Sequence, residues 1–237
     1  MEEISVAAPQ FFQILGLPIA NTTFWTLVLT AGVAVFAILV FYKAKTVPGA
    51  VQNFLEFVLE SFLNFCDSIT ADRKKTLEIF PLAATFFLLI WCSNLMELIP
   101  GLGVFSVLRS PSSDLNFTLA LAIISIVYIN FAAFRKLGLF SYLGKFFNFT
   151  SPINFFVGIL EFISEFSKVI SLSMRLFGNL FAGEVLLIIT SSLFAFLLPL
   201  PFLALEVLVG LIQALVFATL TVVFYTIATL EVDHGHG

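Results

Sequence analysis

The residues that could carry chemistry in this chain are ionisable side chains placed inside stretches that are otherwise apolar. Arg175 lies within the longest of these stretches, and its guanidinium stays protonated in proteins. A charge at the centre of a bilayer costs at least about 2.5–3.5 kcal/mol on insertion scales. Such a residue normally faces protein or water, so Arg175 is the first candidate for a functional role.

A polar stripe is predicted on the helix that contains Arg175. At about 100° per residue, five other polar side chains fall within about 40° of it. They are Glu161, Ser164, Lys168, Ser171 and Asn179. Aliphatic and aromatic residues fill much of the remaining helical surface. The stripe is therefore interpreted as the wall of a water-filled cleft that runs about four turns toward the cytoplasmic end.

A second polar group is offset from this stripe in depth and direction. Glu184 follows Arg175 by nine residues, so it projects to the opposite face, about 13 Å nearer the outside. Glu206 and Gln213 are seven residues apart on the last helix and share a face, and Gln213 lies at a depth similar to that of Glu184. Arg175 therefore lies between two polar clusters.

Simpler interpretations of these residues stay open at the level of sequence. Arg175 could hold a glutamate of its own chain, although the charge within two turns of it is Lys168, which repels it. Glu184 and Glu206 could be a structural hydrogen-bonded pair, and Glu161 and Glu165 could reach the membrane interface. Small residues near Arg175 serve either ordinary packing or the close approach of another helix. They are Gly178, Ala182 and Gly183.

Composition places these residues in a membrane protein. Of the 237 residues, 60% are hydrophobic and 11% are charged, against about 25% charged in a soluble domain. The net charge is −4, without a basic tail for nucleic acid, and no Walker-type phosphate loop is present, so a partner would have to bind any nucleotide. Neither a metal site nor a cofactor is predicted. The residues weighed for metal binding and set aside are Cys66, Cys92, His234 and His236.

The predicted fold class is an all-α integral membrane protein with five membrane-crossing helices and one interfacial amphipathic helix. A crossing needs about 20 apolar residues. The predicted crossings are residues 23–42, 77–98, 114–135, 151–198 and 201–230, between an outer segment (1–22) and a tail (231–237), with the amphipathic helix at 48–70. Residues 151–198 would span roughly 70 Å, so the last two membrane helices are expected to be long and tilted. Asp114 is expected to cap the third crossing.

Basic residues predict the orientation. Eight of them share one side if the crossings alternate, and such residues gather on the cytoplasmic side. They are Lys43, Lys45, Arg73, Lys74, Lys75, Arg135, Lys136 and Lys145, against Arg109 on the other side. The N-terminus is therefore placed outside and the C-terminus in the cytoplasm. An acidic start without an arginine-rich transit peptide favours the plasma (inner) membrane of a bacterium.

The stretch SLSMRLFGNLFAGE, from Ser171 to Glu184, resembles a motif of the a subunit of F-type ATP synthases. The resemblance continues into PFLALEVLVGLIQALVFATLTVVF, NLMELIPG and SPSSDLNFT, and covers most of the chain from about Val47 onward. It implies a stationary proton-conducting subunit of a rotary ATP synthase, which is not an enzyme on its own. The implied partners are a c-ring proteolipid oligomer, b-type peripheral stalk subunits, a soluble nucleotide-binding head and membrane lipid, and nucleic acid is not among them.

The resemblance also implies roles for the residues around the arginine. Arg175 matches the family's essential arginine, which faces the ion-carrying carboxylate of the c-ring. Asn179 and Gln213 match polar residues beside it, and Glu184 matches an acid of the outward half-channel. Glu206 departs from the family pattern, because some members have a histidine at its position. With two glutamates here, Glu184 and Glu206 could share one proton.

The implied mechanism is proton transfer between two offset half-channels and a carboxylate on the rotor. Glu161, Lys168 and Ser171 match polar positions of the inward half-channel, and Ser164 lies on the same stripe. The alternative function is a self-contained ion-coupled secondary transporter, but such folds often carry internal repeats, and the two halves of this sequence show none. A membrane scaffold without transport would not need six polar residues aligned on one helix face.

Overall fold

The computed structural model describes residues 10–14, 17–96, 110–138, 152–193 and 198–230. Within these ranges, every element that could cross a membrane is a helix, which confirms the all-α class. The helices are α1 (Asn21–Lys43), α2 (Ala50–Thr70), α3 (Arg73–Met96), α4 (Leu115–Leu137), α5 (Pro152–Leu193) and α6 (Pro199–Leu230). A short antiparallel hairpin of β1 (Gln10–Ile14) and β2 (Leu17–Ala20), which the sequence did not predict, precedes α1.

Five of the helices, α1, α3, α4, α5 and α6, are long and apolar enough to cross a membrane. The chain is therefore a multi-pass membrane protein. Helix α2 has three buried residues, Phe62, Cys66 and Thr70, while its glutamates, Glu56 and Glu60, are exposed. This one-sided burial agrees with the amphipathic pattern predicted for residues 48–70.

Helix α5 runs without a break from Pro152 to Leu193, over 42 residues. Two crossings between these residues are therefore excluded. At 1.5 Å per residue the helix is about 63 Å long, and a bilayer core is about 30 Å thick. Tilt, or extension beyond the hydrocarbon, must take up the difference.

The turn between the last two helices differs from the prediction in its position. Helix α6 begins at Pro199, whereas the prediction began the last helix at 201 and placed the turn between Pro199 and Pro201. Both prolines lie in the first turn of α6, where backbone N–H groups have no helical acceptor and proline is tolerated. The described part of the turn is Leu198. Residues 194–197, at the predicted end of the preceding helix, lie outside the described residues, as do residues 97–98 and 151.

Helix α6 is central to the described part of the fold and packs against α2, α3, α4 and α5. One core cluster joins it to α5 and includes Phe86, Leu172, Leu176 and Phe217. A second cluster lies against α2 and includes Phe62, Ile79, Val222 and Tyr225. The most apolar part of α1, by contrast, has no buried residue.

Small hydroxyl side chains connect the packed helices. Ser125 of α4 and Thr221 of α6 are 3.0 Å apart, and Thr118 of α4 and Ser173 of α5 are 3.1 Å apart. Such residues let helices approach closely and satisfy each other inside a membrane. Asp114 caps α4 as predicted, because its side chain accepts a hydrogen bond from the backbone N–H of Asn116.

Candidate functional site

Arg175 lies on an exposed face of α5. Leu172, Leu176 and Leu180 form the opposite, buried face of the same helix. Among the residues that the structure describes, none forms an ion pair or a side-chain hydrogen bond with Arg175. Within those residues, the interpretation that Arg175 holds a glutamate of its own chain is therefore wrong. The guanidinium is presented to whatever covers this face of the protein.

The two glycines near Arg175 have different surroundings. A methyl group added at Gly178 would meet no atom within 4 Å, so this glycine leaves open surface one turn from Arg175. A methyl group added at Gly183 would overlap the carboxylate of Glu206. Gly183 thus serves close packing inside the chain, whereas Gly178 leaves room for a neighbour outside it.

A polar cluster forms where α5 and α6 meet. Glu206 and Gln213 are buried, with 8% and 5% of their surface exposed. The side-chain amide of Asn179 donates a hydrogen bond of 2.9 Å to Oε1 of Gln213, which links the Arg175 helix to α6. The seven-residue spacing of Glu206 and Gln213 places both on the side of α6 that is buried. The structure therefore brings together Asn179, Gln213 and Glu206, which were predicted from separate segments.

Glu184 lies half-buried beside Glu206, near enough for the two carboxylates to repel each other. Neither carboxylate oxygen of Glu206 has a hydrogen-bond partner among the described residues. The interpretation of these glutamates as a hydrogen-bonded pair is therefore wrong for the described arrangement. A buried carboxylate without a hydrogen bond is unfavourable unless water or a proton satisfies it. This position suits a group that exchanges protons.

Asn94 of α3 belongs to the same cluster, although it was not assigned from sequence. Its Nδ2 donates a hydrogen bond of 2.9 Å to the carbonyl oxygen of Gly210, midway between Glu206 and Gln213 on α6. Its Oδ1 is buried and accepts no hydrogen bond from the described residues. The contact depends on Gly210, because an added methyl group there would lie 3.0 Å from Cβ of Asn94. An amide within an apolar crossing is the signal that could have pointed to it.

The polar stripe that includes Arg175 is less uniform than its helical projection. Ser164 and Ser171 are exposed, as Arg175 is, and Glu161 is half-buried. Lys168 departs from the stripe, because its ammonium group lies 2.6 Å from Oε1 of Glu165 and 5.5 Å from the centre of the Phe224 ring on α6. The projection predicted the backbone position of Lys168 but not where its long side chain ends.

The residues weighed for metal or redox chemistry offer no such site in the described part of the chain. No group of three or more metal-ligating side chains occurs there. Cys66 and Cys92 are free thiols, and Cys66 is fully buried. Burial, with a smaller contribution from the neighbouring Asp67, raises the pKa of the Cys66 thiol to about 11. His234 and His236 lie outside the described residues.

Comparison with known proteins identifies the family. The family model described as ATP synthase A chain matches residues 23–226. ATP synthase subunit a of Moorella thermoacetica is 35% identical over 227 residues, covering 96% of this chain and 97% of that protein. The subunit a of Campylobacter concisus is 36% identical over 211 residues, covering 86% and 89%. That of Desulfotalea psychrophila is 39% identical over 199 residues, covering 81% and 76%. With most of its length matched, the chain belongs to the ATP synthase A chain family.

Proposed function

We propose that protons cross this chain through two offset half-channels that meet at a carboxylate on a c-ring helix. This route specifies the stationary proton-conducting role that family membership assigns to the chain. A proton taken up from outside neutralises the rotor carboxylate, which can then face lipid at low cost. The rotor turns almost fully before the same carboxylate reaches the inward half-channel and releases its proton. Proton flow is thereby coupled to rotation and to ATP synthesis.

The outward half-channel is formed by Glu184, Glu206, Gln213, Asn179 and Asn94. The observation that supports it is the buried set of acceptors without hydrogen-bond partners among the described residues, namely both oxygens of Glu206 and Oδ1 of Asn94. Buried polar groups are almost always satisfied in folded proteins. Water molecules that satisfy these oxygens would also carry protons toward Asn179, one helical turn from Arg175.

Arg175 separates the two half-channels. Its guanidinium is exposed and forms no ion pair with the described residues, so it is available to an ionised rotor carboxylate. The same positive charge repels protons that would otherwise pass directly between the two clefts. Lysine would be a poor substitute, because it lacks the planar fork that binds a carboxylate through two hydrogen bonds. The observation that carries the proposal is this guanidinium, without an ion pair to any residue of the described ranges, beside the open surface of Gly178.

The inward half-channel follows the polar positions of α5 from Arg175 toward the cytoplasm. Ser164 and Ser171 are exposed on the face of α5 that carries Arg175, and Glu161 and Lys168 are half-buried. Protons released by the rotor carboxylate would leave along this stripe. The driving force is about 2.3 kcal/mol per charge for each 100 mV of membrane potential.

The setting of this mechanism is the plasma (inner) membrane of a bacterium, with the N-terminus outside and the C-terminus in the cytoplasm. The cited relatives are bacterial proteins, and the rest of the ATP synthase complex provides the partners. A c-ring would cover the exposed face of Arg175. The b-type peripheral stalk would hold the chain still against the rotor, and the soluble head would bind the nucleotide. Lipid would cover the apolar surfaces that remain.

The proposal is tested by Arg175→Ala in membrane vesicles that carry the assembled complex. We expect ATP-driven proton pumping to stop, because nothing then stabilises the ionised rotor carboxylate or blocks a direct leak. Arg135→Ala is the matched control: Arg135 is exposed at the end of α4, over the Phe131 ring, and its loss should leave pumping intact. Undiminished pumping by Arg175→Ala would refute the proposed role.

A further inference from the structure

We propose that Glu165 is a positioning residue of the inward half-channel, which neutralises Lys168 and fixes the place of its ammonium group beside the path of the proton. The inference rests on the half-channels proposed above and adds a residue that the polar stripe did not include. It concerns a cluster of three side chains, Glu165, Lys168 and Asn130, together with the ring of Phe224.

The contacts of this cluster hold the ammonium group of Lys168 in one place. Nζ of Lys168 donates a hydrogen bond of 2.6 Å to Oε1 of Glu165, one turn earlier on α5. The other carboxylate oxygen, Oε2, accepts a hydrogen bond of 3.4 Å from Nδ2 of Asn130 on α4. The ammonium group also lies 5.5 Å from the centre of the Phe224 ring on α6. Three helices therefore contribute to the place where the lysine charge is held.

Partial burial strengthens the attraction between Lys168 and Glu165. The Lys168 and Glu165 side chains keep 26% and 17% of their surface exposed, so solvent screens the pair only in part. Lys168 lies seven residues before Arg175, about 10 Å along the helix axis toward the cytoplasm. Without Glu165, a second uncompensated positive charge would lie beside the half-channel through which protons leave.

An unneutralised lysine at this place opposes proton release. A proton moving down the inward half-channel would approach an ammonium group whose charge is no longer balanced, and like charges repel where burial leaves solvent screening incomplete. The freed lysine side chain would also be able to turn toward the exposed face that carries Ser171 and Arg175. Glu165 thus acts on the proton through Lys168, without itself having to bind the rotor.

The test measures passive proton conductance per assembled complex in vesicles from which the soluble head has been stripped, under an imposed potential. Glu165→Gln removes the negative charge but keeps the side-chain shape, and should lower the conductance about tenfold. This is the size of effect expected when a proton leaving the neighbourhood of Arg175 is repelled by one uncompensated charge roughly 10 Å away. Glu165→Asp should retain most of the conductance. In a Lys168→Met background, Glu165→Gln should cause no further loss, because no ammonium charge is then left to neutralise.

Controls separate this inference from assembly defects and from the proposed function. Glu60→Gln makes the same change at an exposed position of α2 and should have no effect. Unchanged conductance in Glu165→Gln, or an equal further loss when Glu165→Gln is added to Lys168→Met, would overturn the inference. It would also be overturned if the amount of complex fell while conductance per complex stayed constant, because the pair would then be purely structural. Arg175→Ala, assayed by ATP-driven pumping, tests the half-channels independently: its failure to stop pumping would remove the proposed function itself.

Discussion

The contact between Gly183 and Glu206 yields the sharpest prediction about the proposed outward half-channel. In Gly183→Ala, the new methyl group would overlap the Glu206 carboxylate and would lie 3.2 Å from its Cδ. Either the carboxylate must move or α5 and α6 must separate. Overpacking of this kind typically costs about 1–3 kcal/mol.

The expected effect on transport follows from that cost. Because about 1.4 kcal/mol corresponds to a factor of ten, a cost of this size should lower the rate of proton transport about five- to hundredfold. Alanine is favoured over glycine by about 0.8–1.0 kcal/mol within a helix, so backbone propensity alone would act in the opposite direction. Any loss must therefore come from the overlap.

The assay is the initial rate of ATP-driven proton uptake into vesicles, normalised to assembled complex. Gly32→Ala is the matched control, because a methyl group at Gly32 in α1 would meet no atom within 4 Å. Adding Glu206→Asp to Gly183→Ala should restore part of the rate, since aspartate is one methylene shorter and keeps the carboxylate. Wild-type rates in Gly183→Ala, or a double variant no better than the single one, would refute the reasoning.

Three further predictions concern other parts of the chain. Asn94→Leu, which keeps the number and branching of the heavy atoms but removes the buried amide, should lower proton conductance about tenfold without loss of complex; a wild-type rate would remove Asn94 from the proposed outward half-channel. Tyr225→Phe, which removes the hydroxyl that donates to the Glu78 carboxylate, should destabilise the subunit by about 1 kcal/mol and lower the thermal midpoint of the solubilised complex, with pumping unchanged. An unaltered midpoint would show that this hydrogen bond contributes nothing to stability. Cys66 is fully buried, and burial raises the pKa of its thiol to about 11. A maleimide at pH 8 should therefore label Cys66 only after denaturation. Rapid labelling of Cys66 in the native complex would contradict its burial between α2 and α3.

Much of the fold could be predicted because apolar length and helical period are local properties of the sequence. The unbroken α5 from Pro152 to Leu193 follows from an apolar run too long for one perpendicular crossing, with charges that make a lipid-facing hairpin costly. The cap at Asp114 is equally local, since it needs only a carboxylate one residue before a helix. The position of the turn before α6 was missed because proline is compatible with both a turn and the first turn of a helix.

The candidate site could be predicted only as far as one helix determines it. Projection assigned a face to Arg175 and to Glu206, and the structure adds the neighbours that other helices bring. The contact of Asn94 with Gly210 joins residues 116 positions apart, which no helical period can predict. The pairing of Lys168 with Glu165 depends on the path of a flexible side chain and on the nearby α4 and α6.

The most direct test of the account is a structure of the purified, intact complex that resolves the surroundings of Arg175. We predict that a rotor helix covers the exposed face of α5 and that the guanidinium lies within about 4 Å of a rotor carboxylate or of water leading to it. An Arg175 side chain that points into lipid, or that bonds with its own chain and touches no rotor helix, would contradict the proposed mechanism.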